Sequence, residues 1–325
     1  MITIFHRLGE RIAETQQRAD QNVPDDPVWI DLLNPTEDEL RHLPQNLNIA
    51  LPTREETWRN HALNRMYTRD GTAYMTAAVL SDDREARACG TVTFILTPDF
   101  LITIRDIDPQ PFLTLQERML LSPKAFPASM DVLTGLLEAI VLRTVSHSDQ
   151  VITGLDGLSC RIFSETGFEG EKGTPSDIMH GVLKSLGVLA DLNSRIHESI
   201  LSLQRVAGFL RNGTAAGQER HTRALGTLLK DTQSIAEQTA FLSNKISFQL
   251  DAALGMINVE QNQIGKIFST TAVFFLPPAL VAGIYGMNFD HMPELHWTLG
   301  YPLAIGLMGL AVLVPYWFFK RRGWL

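Results

Sequence analysis

Cysteine is scarce: the chain has two, Cys89 and Cys160, far apart in sequence. That excludes a disulfide framework and any paired-thiolate metal or redox motif, and it fits reduced thiols. Concentrated positive charge is also missing outside the last residues, and the net charge is −8, which excludes a nucleic-acid partner. No G-x-x-x-x-G-K-[ST] run is present, so no phosphate-cradling loop for ATP is expected. No nucleophile–base motif stands out either, and the chain is not expected to be an enzyme. No secretory or transit segment is expected at the start, because His6, Arg7, Glu10, Arg11 and Glu14 follow the short apolar run at once.

Proline is absent between Pro175 and Pro277, whereas ten of the 16 prolines precede residue 128. Proline breaks helix interiors, so the early region is segmented and the later one can be continuously helical. Residues 28–33 and 91–96 are short runs rich in strand-forming residues. Thr97-Pro98-Asp99 turns the second run into residues 100–105, which predicts a hairpin, and Asp70-Gly71 predicts another within residues 66–80. Thr36 to Glu39 opens a helix with an acidic first turn. The fold class expected for residues 1–127 is therefore an α/β domain on a mostly antiparallel sheet.

From Ala128 the pattern turns helical. A helix starts at Ser176-Asp177 and stops near Asn212-Gly213, and another begins near Gln218. The latter carries Leu228, Ile235, Leu242, Ile246, Leu250, Leu254 and Ile257 at helical spacing, with no stop signal before Tyr285. At 1.5 Å per residue it would run about 100 Å, too long for one monomeric core, and this predicts self-association.

Two apolar stretches, Ile267 to Tyr285 and Trp297 to Phe319, contain no charged residue. A bilayer core takes about 20 apolar residues in a helix. Both stretches read as membrane spans joined by a short loop, so lipid is an expected partner. Lys266 and Lys320-Arg321-Arg322 flank the spans on one side, while the loop has Asp290 and Glu294 but no Lys or Arg. The positive-inside rule then places both termini in the cytoplasm. The expected order is a cytoplasmic α/β domain (1–127), a helical hairpin region (128–217) and a stalk helix (218–263). After these come a first span (264–285), an outer loop (286–296), a second span (297–319) and a basic tail (320–325).

One side of the first span can be traced back into the stalk. Asp251, Asn258 and Asn262 come first, then small Gly265 and Ser269, then Leu276, Leu280 and Gly283. Such a polar-to-apolar stripe suits a pore whose apolar section gates by dewetting. Pro277-Pro278 is expected to perturb the helix in mid-membrane. In the loop, Gly286 is expected to let the backbone turn and expose carbonyls, and Asn288 offers a neutral amide oxygen. Asp290 and Glu294 would raise the local cation concentration. His291 and His296 read as polar loop residues, and Asp82, Asp83 and Glu85 as a solvated turn.

The C-terminal region resembles the CorA magnesium-transporter family. The resemblance is carried by Ile257 to Asn262, Phe275-Leu276-Pro277-Pro278, Tyr285 through Leu295 with its Gly286-Met287-Asn288 core, Gly300-Tyr301-Pro302, and Lys320 to Leu325. It is close over residues 257–325 and looser before them, mainly at Val28 to Leu32. The resemblance implies a homopentamer in a bacterial inner membrane, with Gly286, Met287 and Asn288 as selectivity filter and Asp251 and Asn262 on the pore axis. It also implies influx of magnesium, with cobalt and nickel as secondary substrates. Asn288, through a hydrated ion, and Asp251 are the metal-contacting candidates. No resident cofactor is expected; magnesium is substrate and, from the cytosol, regulatory ligand. Two alternatives remain: a zinc transporter of the same family, and a membrane-anchored metal sensor that moves no ions.

Overall fold

A computed structural model describes residues 1–17, 23–40, 49–52, 66–81, 89–163, 175–213, 219–287, 297 and 299–322. By contacts the chain divides into two units, Met1–Glu171 with His180–Leu250, and Lys172–Met179 with Asp251–Leu325.

The first unit contains a seven-stranded sheet in the order β2-β1-β3-β7-β6-β5-β4. The strands are β1 (Ile2–Leu8), β2 (Arg11–Gln17), β3 (Pro27–Leu33), β4 (Tyr67–Arg69), β5 (Thr72–Leu80), β6 (Cys89–Leu96) and β7 (Leu101–Arg105). Every neighbouring pair is antiparallel except β3 and β7. The Asp70-Gly71 turn behaves as its sequence demands. Both residues hold positive φ (50° and 77°), the primed geometry that matches strand twist in a two-residue hairpin. Thr36 and Glu39 form a reciprocal capping box: the Glu39 carboxylate accepts from the Thr36 N–H, and the Thr36 hydroxyl accepts from the Glu39 N–H.

Alternation sends Ile2, Ile4, Ile30, Leu32, Ile95, Ile102 and Ile104 to one face of the sheet, where they form a single core. Phe5, Trp29 and Phe94 are fully buried on the other. There Trp29 stacks on Phe5 at 5.0 Å and meets Phe112 at 6.0 Å. Phe112 belongs to helix α1 (Gln110–Leu121). Beyond it lie α2 (Ser129–Phe163), α3 (Pro175–Gly213) and α4 (Glu219–Tyr285).

Up to Leu250, α4 buries a mixed seam. Leu228, Ile235, Leu242 and Ile246 are buried as their spacing predicts, but so are Thr232, Thr239 and Gln249. Thr232 turns its hydroxyl back to the Leu229 carbonyl of its own helix at 3.0 Å, and the Thr239 hydroxyl meets His197 of α3 at 2.7 Å. Asn193 of α3 donates to the Thr239 carbonyl and the Ser243 hydroxyl, each at 2.9 Å, and Gln249 donates to the Leu155 carbonyl at 3.0 Å. Leu250 and Leu254 continue the periodicity yet stay 39 % and 44 % exposed among the described residues. The second unit holds the rest of α4 and α5 (Gly300–Arg321).

Candidate ion-conduction site

At 3.6 residues per turn, positions 251, 258, 262, 265, 269, 276, 280 and 283 fall within about 60° of one another on α4. The helix is unbroken through all of them. Asp251, Asn258, Asn262, Leu276, Leu280 and Gly283 therefore share one side, and each is exposed in the single chain. Their order along the axis is a carboxylate, two amides, small residues, then branched apolar side chains.

The apolar end of this stripe is not a core face. The most apolar window of α4 is 0 % buried and that of α5 only 6 %. Leu276 and Leu280 are 68 % and 64 % exposed, and of α5 only Gly300 and Ala304 are buried. Leaving a Leu in water forgoes about 1.5–3 kcal/mol of burial. Faces this apolar and this bare belong in lipid or against other copies of the chain.

Pro277 and Pro278 sit inside α4 without interrupting it. Neither has an N–H, so the carbonyls of Val273 and Phe274, one turn back, have no donor in the helical ladder. The sequence pattern marks a perturbation here; it takes the form of two missing hydrogen bonds inside a continuous helix.

At the end of α4, Gly286 donates its N–H to the Ala282 carbonyl at 2.9 Å, and Met287 donates to the Ile284 carbonyl at 3.2 Å. The last turn thus tightens in the usual way. A side chain at 286 would be crowded. The glycines at positive φ are Gly9 and Gly71, and Gly286 is not among them. A Cβ at 286 would stand 3.2 Å from the Ala282 carbonyl oxygen, which is backbone and cannot swing aside. Met287 is 47 % exposed. Asn288, Asp290 and Glu294 lie outside the described residues, as do His291, His296, Asp82, Asp83 and Glu85.

Among the described residues no group of three or more His, Cys, Asp or Glu stands close enough to hold a metal ion. Sequence reasoning missed an open groove along part of the stripe, where its Asn262, Gly265 and Ser269, with Lys266 and Thr270 of α4, face Phe319 of α5. Phe319 also packs edge-on against Phe274 at 6.2 Å. Only the pairing of the two helices reveals it.

One chain thus combines a sheet domain with two helices long and apolar enough to cross a membrane, one of them carrying a polar-to-apolar stripe. The profile of the CorA-like Mg2+ transporter protein family matches residues 24–321, and the chain belongs to that family. The magnesium transport protein CorA of Escherichia coli is 32 % identical over 328 residues, covering 100 % of both chains. Among solved structures, the CorA magnesium transporter of Methanocaldococcus jannaschii superposes with a TM-score of 0.75 at 18 % identity, over 100 % of this chain and 99 % of that one. The ZntB cytoplasmic domain of Vibrio parahaemolyticus matches with a TM-score of 0.58 at 12 % identity, over 79 % of this chain and 97 % of that domain.

Proposed function

We propose that five copies of this chain surround a common axis and pass hydrated magnesium inward along the exposed stripe of α4. The observation that carries this reading is the stripe itself. Eight positions over 33 residues keep one side of a helix polar near Asp251 and apolar near Gly283, and each is exposed among the described residues. Family membership, and a relative named for magnesium transport, supply the ion. Cobalt and nickel would follow as secondary substrates.

Magnesium is small, octahedral and slow to shed water. A filter of neutral oxygens that bonds the hydration shell suits it better than one that strips it. Asn288 amides and the carbonyls around Gly286 and Met287 would form that ring at the outer mouth, with Asp290 and Glu294 concentrating cations above it. Leu276, Leu280 and Gly283 would form the section that gates by dewetting. Asn262, Asn258 and a ring of Asp251 carboxylates would line the way to the cytosol.

Lys266 and the 320–322 cations would keep both termini in the cytoplasm of a bacterial inner membrane. Two positive charges entering gain about 4.6 kcal/mol per 100 mV, so uptake needs no ATP. Cytosolic magnesium would close the pore by bridging carboxylates of neighbouring copies, since a single copy offers no three-ligand cluster among its described residues. Such a ligand shifts the gate only by binding the closed state better. Expression in a bacterium lacking its own magnesium uptake tests the proposal. Growth at low magnesium supports it, and failure of a correctly inserted protein to restore growth contradicts it.

A further inference from the structure

The cytoplasmic end of α5 carries three consecutive cations, each drawn back over an aromatic ring one turn earlier. Lys320 Nζ lies 5.7 Å from the centre of the Tyr316 ring, Arg321 Cζ 5.2 Å from Trp317, and Arg322 Cζ 5.2 Å from Phe318. Helical side chains lean toward the helix N-terminus, and here that direction returns the charges to the level of the rings. Consecutive residues are about 100° apart, so the three pairs wrap roughly 200° of the helix. Phe319 takes the remaining side, half-buried against Phe274 of α4. The collar therefore covers the sides of α5 that α4 does not.

This collar is bare. Tyr316, Trp317 and Phe318 are 44 %, 64 % and 50 % exposed. Among the described residues none of the three cations has a carboxylate within 4 Å, although other surface cations such as Lys245 and Arg195 do. Ring stacking holds the cations in place without using their hydrogen-bond donors, because a cation over a ring is attracted through its charge. The guanidinium forks of Arg321 and Arg322 stay open for a bidentate acceptor such as a phosphate.

From this geometry we infer that the collar is a binding site for anionic phospholipid, the phosphates resting on the cations and the acyl chains on the rings. The inference rests on α5 being a membrane span but not on which ion the protein conducts. A zwitterionic lipid brings its own cation to compete for its phosphate, so the site selects lipids with net negative charge. Its occupant would fix the depth of α5 at the cytoplasmic leaflet.

The full-length protein, released from membranes of mixed phosphatidylcholine and phosphatidylglycerol, tests this by native mass spectrometry of the lipids it retains. The wild type should carry phosphatidylglycerol well above its bulk fraction. Each cation changed to glutamine (Lys320→Gln, Arg321→Gln, Arg322→Gln) should lower that enrichment by about fivefold. Trp317→Leu, which keeps all three charges and an apolar surface, should lower it by about two- to fivefold. Retention in proportion to bulk composition by the wild type would overturn the proposal without any variant having to fold. So would undiminished enrichment in the triple glutamine variant, or displacement of the lipid by millimolar inorganic phosphate, which would mark a free-phosphate site. Because no flux is measured, failure of magnesium conduction would leave this result standing, and the reverse.

Discussion

Asp31 and Arg105 grip each other across the parallel pair of strands, β3 and β7. The Arg105 Nη2 donates to Asp31 Oδ2 at 2.8 Å and Nε reaches both carboxylate oxygens at 3.1 Å. The side chains are 4 % and 2 % exposed. Burial pulls the Arg105 pKa down, but the hydrogen bonds and charges of Asp31 and Asp108 outweigh it, and the net direction is upward. Thr103 donates its hydroxyl to Asp31 and accepts from the Trp29 indole, so the carboxylate is satisfied on a second side. Arg105→Met alone strands a buried carboxylate and should cost about 3–5 kcal/mol, read by denaturant unfolding. Joining it with Asp31→Leu removes both charges and should restore most of that loss. Equal destabilisation by the single and double variants would show that packing, not charge, governs the site.

The two cysteines should separate cleanly under alkylation. Burial first, then the nearby Glu198 charge, pushes the Cys89 thiol up to about 12, while Arg195 pulls modestly the other way. Cys160 is exposed. At pH 8 about one Cys89 in ten thousand would be thiolate, the reactive form. Iodoacetamide should therefore label Cys160 in the folded protein and Cys89 only after unfolding, as peptide mapping would show. Because the folded state holds the Cys89 proton more tightly, its contribution to stability is complete below the ordinary value of 9.0 and is lost as pH rises toward 12. Rapid native labelling of Cys89 would refute the burial argument.

Asp251 should lie close to its counterparts in neighbouring copies. With the native cysteines replaced by serine, Asp251→Cys should form disulfide-linked dimers under mild oxidant, whereas a cysteine at the exposed Lys230, outside the stripe, should not. Absence of any crosslink at 251 in an assembled oligomer would take this residue off the axis.

Closure by cytosolic magnesium predicts that α4 is better protected when the ion is present. Limited proteolysis between Glu219 and Asn262 should be slower at millimolar magnesium than in chelator. Identical cleavage rates in an intact oligomer would leave a pore without this gate.

Legibility in the sequence followed how local each signal is. Asp70-Gly71, Asn212-Gly213 and the two apolar runs announce themselves through neighbouring residues, and the hairpin, the end of α3 and the bare helices appear where those residues stand. Strands β1 and β2 were hidden because Arg7, Glu10, Arg11 and Glu14 interrupt the alternation on an edge ribbon that tolerates charge. Thr239 and Gln249 stand between apolar positions of α4, and only their partners on α3 and α2 show what holds them inside. The Asp31 partner lies 74 residues away, beyond any pattern a single strand carries. The stripe on α4 was legible because a helix fixes angular position from spacing alone. The groove along part of it was not, since it needs Phe319 of a second helix.

Metal-resolved ion uptake into liposomes containing only this protein tests the central claim most directly. With an inside-negative potential, external magnesium should enter protein-bearing vesicles and not empty ones. Asn288→Ala should return uptake to the empty-vesicle level, and Gly286→Ala should lower it, because the added Cβ must push against the Ala282 carbonyl. An assembled wild-type protein that admits no magnesium, or an Asn288→Ala variant that conducts as the wild type does, would contradict the account.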